Sequence, residues 1–215
     1  MKTLIVGGGT IEDDFAREYI DRWKPDYVIA ADRGMEFCYR AGQIPDCIIG
    51  DYDSVLPEVY HYFREQSGIE WHSYPAEKDD TDSGLAVELA IEKKSSAVHM
   101  IGMTGTRMDH MLGNIQLLRR ILEQGIEGRI LDSHNRIRLV QGTETLQKED
   151  AFGSYVSLLP LTETLEGVTL TGFKYSLKDA VMRGGNTLGI SNELVEESAR
   201  IVIRQGIGIV IESRD

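Results

Sequence analysis

A chain of 215 residues with 41% hydrophobic side chains can bury one α/β core, or a larger core with a small companion, which excludes a disordered polypeptide. The formal net charge of -12 speaks against nucleic acid as a partner, because proteins held by phosphate contacts present a basic face, whereas cations would be attracted. Cys38 and Cys47 have no ligand spacing and read as core thiols; with no signal-peptide core and no apolar run of membrane length, a cytoplasmic protein with no membrane partner is expected.

Short apolar runs alternate with amphipathic stretches from the start, the pattern of βα units around a mostly parallel sheet. Strands are predicted over 3–7, 26–31, 46–50, 97–102 and 128–132, with a weaker one over 70–74. Between them, Phe15, Tyr19, Ile20 and Trp23 recur at helical spacing, as do Leu85, Leu89 and Ala90, and then Met111, Leu112, Ile115, Leu118 and Leu122. These stripes are expected to face the core. After about residue 133 the runs 136–140, 155–159, 168–170 and 207–211 are short, β-rich and separated by Gly, Thr and Asn. The expected architecture is an α/β, Rossmann-like domain over residues 1–132, followed by an antiparallel β-sandwich over 133–215.

Ligands of open parallel sheets bind beyond the carboxyl ends of the strands. Those positions here are acidic: Ala31-Asp32-Arg33-Gly34, Gly50-Asp51-Tyr52-Asp53-Ser54, Lys78-Asp79-Asp80-Thr81-Asp82 and Arg107-Met108-Asp109-His110. Each alone is explained by a turn or a helix cap. Four such clusters at one sheet edge would repel unless a cation sits among them, and oxygen-only ligands suit Mg²⁺.

Gly102-Met103-Thr104-Gly105-Thr106-Arg107 joins a strand to a helix start, a place that favours anions, and Arg107 adds a clamp. Gly7-Gly8-Gly9-Thr10 lacks both the Lys of a P-loop and the GxGxxG spacing, so it reads as a close backbone approach or a plain tight turn. His110 is set aside as a structural hydrogen-bonder.

These segments, with Asn114 and the later Gly172-Phe173-Lys174-Tyr175-Ser176-Leu177 and Ser191-Asn192-Glu193, closely resemble the thiamine pyrophosphokinase family, in family order across most of the chain. The resemblance implies transfer of a diphosphate group from ATP to thiamine, and a homodimer whose active sites lie between subunits. It implies that Asp51, Asp53 and Asp82 are the magnesium and catalytic carboxylates. By the same resemblance Asp32, Asp79, Thr81, Arg107 and Asp109 serve ATP, and Tyr175, Ser191 and Asn192 serve thiamine, whose domain would be the C-terminal one. Lys78 or Arg33 would add screening of phosphate charge. Tyr52 stands where the family often has Phe, and Ser176 where a Pro commonly follows the aromatic residue. The residues alone leave two alternatives, a DxD-type Mg²⁺ phosphohydrolase and a non-catalytic sensor of nucleotide or thiamine.

Overall fold

The computed structural model describes residues 1–74 and 79–215, and the chain divides after Ser133 into two compact units. In the first, β1 (Lys2–Val6), α1 (Asp13–Trp23), β2 (Tyr27–Ala31), α2 (Gly34–Ala41), β3 (Cys47–Gly50), α3 (Pro57–Arg64), β4 (Glu70–Ser73), α4 (Asp82–Glu92), β5 (Ala97–Ile101), α5 (Met108–Glu123) and β6 (Glu127–Leu131) alternate. The strands run in the order β6-β5-β1-β2-β3-β4, and every neighbouring pair is parallel. The chain winds outward from β1 to β4, then returns to the other side of β1. That reversal opens a crevice beyond the carboxyl ends of β1 and β5.

Parallel strands covered on both faces need apolar side chains on both, and β1, β2, β3 and β5 are buried almost end to end. Leu4, Val6, Val28, Ala30 and Ile48 pack beneath α1, α2 and α3 through Ala16, Tyr19, Phe37, Cys38, Val59 and Phe63. Right-handed crossovers put α4 and α5 on the opposite face, where Ala86, Val87, Ala90, Leu117, Leu118 and Ile121 are buried.

The helices α2 and α3 were not among the predicted stripes, being only 8 residues each. Gly34 lets α2 approach β1: a Cβ there would lie 1.9 Å from the Val6 carbonyl oxygen. On α5 the buried face is rotated from the predicted stripe. Leu112 is 57% exposed, while Leu117 and Ile121 are buried instead, because six residues before Leu118 the helix points about 120° away. Both cysteines are free and buried, and burial pushes each thiol up to about 12. No helix among the described residues is long and apolar enough to cross a membrane.

The second unit is antiparallel, with β7 (Asn135–Gln147), β8 (Tyr155–Pro160), β9 (Thr164–Thr171), β10 (Leu177–Arg183) and β11 (Ser198–Ser213). Along β7, the first half of β11 also pairs with β9 and its second half with β8. The strands close on Val140, Leu158, Leu165, Val168, Leu170, Ile201, Ile203 and Val210. The strand predicted over 207–211 is the end of a 16-residue one. Glu212, 1% exposed, lies inside this unit with two guanidinium groups on it, from Arg136 at 2.9 and 2.5 Å and from Arg138.

Candidate active site

Two glycine-rich loops meet in the crevice. The amide of Gly7 donates to the Ile101 carbonyl at 2.9 Å, that of Gly9 to Gly102 at 2.8 Å, and that of Thr10 to Thr104 at 2.8 Å. A Cβ on Gly9 would stand 2.3 Å from the Thr104 oxygen and 2.6 Å from the Gly102 oxygen, so only glycine permits this seam. From α5, the Asn114 side-chain amide donates to the Met103 carbonyl at 2.8 Å, and the Thr104 hydroxyl donates to Asp132 at 2.8 Å. The loop after β5 is therefore held from three sides.

Around it lies a cavity of about 880 Å³, lined by Gly8, Gly9, Gly102 and Gly105 on one side and by Asp32, Asp51, Asp79, Asp80, Thr81 and Asp82 on another, with Arg33, Arg107, His110 and Asn114 also present. Of the N-terminal residues named from the sequence, Asp32, Asp51, Asp79, Thr81, Asp82 and Arg107 come together here. Asp53 and Asp109 are exposed and lie outside the lining, and Lys78 lies outside the described residues.

Asp32 follows β2 with a left-handed φ of 48°, its amide donating to the Ile49 carbonyl at 2.8 Å and both carboxylate oxygens accepting the Ser54 hydroxyl at 3.0 Å. Burial raises its carboxyl above the usual range, and the charges of Asp82 and Asp51 raise it further, against the opposing Ser54 hydroxyl and Arg33 amide. Like charges are thus crowded at this edge. Asp51 accepts the Asp53 amide at 3.2 Å. Between them Tyr52 is also left-handed, at φ 65°, and its ring packs on Tyr60 and Trp71 at centroid distances of 5.8 and 5.3 Å. These two non-glycine residues, one in the turn after β2 and one in the turn after β3, are held in a sparsely populated region, which marks turns whose shapes are imposed by their surroundings.

Thr81 is the N-cap of α4, its hydroxyl accepting the Gly84 amide at 3.1 Å. Asp80 accepts the Thr81 amide at 2.9 Å and the Arg120 guanidinium at 2.6 Å, while Arg120 also reaches Glu88 at 3.1 Å. Arg120 thereby ties the acidic segment to α5, a link across 40 positions that no local pattern reveals. Arg107 and Asp109 form an exposed pair at 2.5 Å, and the guanidinium holds the Asp109 carboxyl down at about 2.

In the second unit, Asn192 is 5% exposed and Tyr175 59%. The Asn192 side chain accepts the Tyr175 amide at 2.9 Å and donates to the Tyr175 carbonyl at 2.8 Å, acting as a strand partner for that one residue. Ser191, left-handed at φ 56°, donates its amide to the Ser157 hydroxyl at 3.0 Å. The Asn192 side chain thereby fixes the backbone of Tyr175. Ser176 is exposed beside it.

Residues 21–130 match the model of the thiamin pyrophosphokinase catalytic domain, and residues 143–208 that of the thiamin pyrophosphokinase vitamin B1 binding domain. The chain is 38% identical to a thiamine pyrophosphokinase of Bacillus subtilis over 187 residues, covering 87% of each protein. A solved thiamine pyrophosphokinase structure from Bacillus subtilis superposes with a TM-score of 0.89 at 32% identity, covering all of both chains. One from Geobacillus thermodenitrificans gives 0.86 at 34% identity, covering 100% of this chain and 98% of that one. With both domain models matched in order and relatives this similar over nearly the whole length, the chain belongs to the thiamin pyrophosphokinase family.

Proposed function

We propose that this enzyme transfers the terminal diphosphate of ATP to the hydroxyl of thiamine, with AMP as the second product. The observation that carries the chemistry is the crevice itself, where five aspartates face two backbone-lined loops and the start of α5. The α5 dipole favours phosphate there, and Arg107 screens its charge.

The donor set fits Mg²⁺, being carboxylate oxygens, and the charges of Asp82 and Asp51 add to the burial that raises Asp32. Asp51 and Asp82 would hold the ion from the crevice, joined by Asp53 from the same turn though it stands outside the lining, and the ion when bound neutralises charge on the phosphates. Asp32, Asp79, Thr81, Arg107 and Asp109 serve the nucleotide in this reading. Positioning and charge neutralisation are most of what phosphoryl transfer asks of a protein. The thiamine oxygen forms a bond to the β-phosphorus as the bond to the α-phosphate oxygen breaks, and the hydroxyl proton leaves to an acceptor near the site.

Thiamine is cationic and flat, which suits the exposed Tyr175 ring with Ser191 and Asn192 beside it. A homodimer with active sites between subunits, and a cytoplasmic location, belong to the same proposal. Incubation with Mg-ATP and thiamine is expected to yield AMP and thiamine diphosphate. ADP with thiamine monophosphate would identify an ordinary kinase, phosphate release without thiamine a hydrolase, and binding without turnover a sensor.

Replacing Asn192 by Ala frees the Tyr175 backbone from its two side-chain hydrogen bonds. The expected result is a KM for thiamine raised at least fivefold with the KM for ATP unchanged, since unmaking such bonds costs about 1–3 kcal/mol. An unchanged thiamine KM would remove Tyr175 from the binding set.

A further inference from the structure

At the opposite, amino-terminal edge of the first sheet a second group of ligand-type side chains converges. Cys47 opens β3 and pairs in register with Glu70, the first residue of β4; His72 follows two positions later on the same face. One ligand atom from each of the three lies within 4.8 Å of the others. Cys47 is fully buried, whereas His72 and Glu70 side chains are 36% and 49% exposed, so the corner is sealed on one side and open to solvent on the other. The Tyr27 hydroxyl, at the start of β2, sits against Cys47 and Glu70. Its oxygen is buried without a well-formed hydrogen bond.

We propose that Cys47, Glu70 and His72 bind one zinc-class divalent cation, separate from the carboxylate crevice. The chemistry of the donors selects the metal: a thiolate and an imidazole favour Zn²⁺ or Co²⁺ over Mg²⁺, while the crevice, built of oxygens alone, has the reverse preference. Around tetrahedral zinc, ligand atoms lie roughly 3.3–3.8 Å apart, given bonds of about 2.0–2.3 Å. The Glu70–His72 separation is already 3.8 Å, and both side chains stand on the sheet's edge strand beside the sulfur.

Lys93 donates to both Glu70 oxygens, at 3.0 and 3.1 Å, and its ammonium lies 4.6 Å from the Tyr27 ring centre. On metal binding one Glu70 oxygen passes to the ion and the other stays with Lys93, which orients the carboxylate from behind. The Tyr27 hydroxyl gains a partner in the thiolate, and water completes the fourth position. Binding forms bonds from the metal to sulfur, nitrogen and oxygen, and the thiol proton leaves to solvent, so affinity falls as pH falls. The ion would clip the edge strand β4 to β3 at the end remote from the active site.

The test uses the whole chain, stripped by chelator and titrated with Co²⁺ in excess Mg²⁺, which occupies oxygen-only sites. A thiolate-to-cobalt charge-transfer band in the near ultraviolet is expected to saturate at one cobalt per chain and to vanish when Zn²⁺ is added. Cys38→Ser should retain the band and Cys47→Ser should lose it. His72→Ala, on an exposed edge strand where folding is not at risk, should weaken cobalt binding at least about tenfold, or 1.4 kcal/mol. Absence of the band, its survival in Cys47→Ser, or an unchanged affinity in His72→Ala would each overturn the site.

Discussion

Asp51→Asn is expected to reduce AMP formation about 10²–10³-fold, the loss that follows removal of one preorganised electrostatic group, roughly 2.7–4 kcal/mol of barrier. The substitution isolates charge from shape. Asn keeps an oxygen to accept the Asp53 amide, so the turn holding Tyr52 between Tyr60 and Trp71 survives. Stability should hold steady or rise slightly, because Asp51 is one of the charges that drives the Asp32 carboxyl upward. Turnover within tenfold of the parent, at saturating Mg²⁺, would remove Asp51 from the metal set. A collapse in melting temperature would instead make it structural.

Glu212→Ala should be the most damaging single change in the second unit, costing about 3–5 kcal/mol in denaturant unfolding, as expected when one partner of a buried ion pair is deleted. Glu212 accepts from Arg136, from Arg138 and from the Phe152 amide at 3.1 Å, and its loss leaves the 8%-exposed Arg138 with Glu144 as its remaining ionic partner among the described residues. Removing Arg138 as well, as Met, should recover part of the loss.

The same network gives a pH dependence with a definite sign. Burial alone would raise the Glu212 carboxyl, but the Arg136 hydrogen bond and the charges of Arg138 and Arg136 outweigh it and hold it below the ordinary glutamate range. A carboxyl depressed in the folded state adds stability at pH values above its unfolded pKa. That contribution fades as pH falls through the folded value. Acid unfolding of the parent should therefore be steeper than that of the double variant.

Much of this architecture is legible in the amino-acid pattern, for a physical reason. Strands buried on both faces must be largely apolar, and acidic loops at their carboxyl ends interrupt those runs sharply, so β1, β2, β3 and β5 and the crevice residues Asp32, Asp51, Asp79 and Asp82 stand out together. Short helices are harder. α2 begins on Gly34 inside a turn-like Asp-Arg-Gly, although Gly42 in a left-handed C-cap was a usable stop signal, as was Pro57 as a start for α3. In β11, Ala199, Ile201 and Ile203 alternate with more exposed residues, a period of two that extends the strand well before residue 207. The ties from Arg120 to Asp80 and from Asn192 to Tyr175 join residues distant in sequence, and only the folded chain brings them together.

The seam between the two glycine loops sets how this enzyme can change over time. Where Gly9 and Gly102 meet, the contacts belong to the peptide backbone, so no substitution can delete one by trimming a side chain. Damage there comes only from added atoms, and its severity should follow the size of the intruder and ignore its charge. The acidic rim across the cavity obeys the opposite rule, tolerant of bulk at its outer edge and intolerant of lost charge. Rim and floor are thus guarded by different losses, the rim by its charge and the floor by what it excludes.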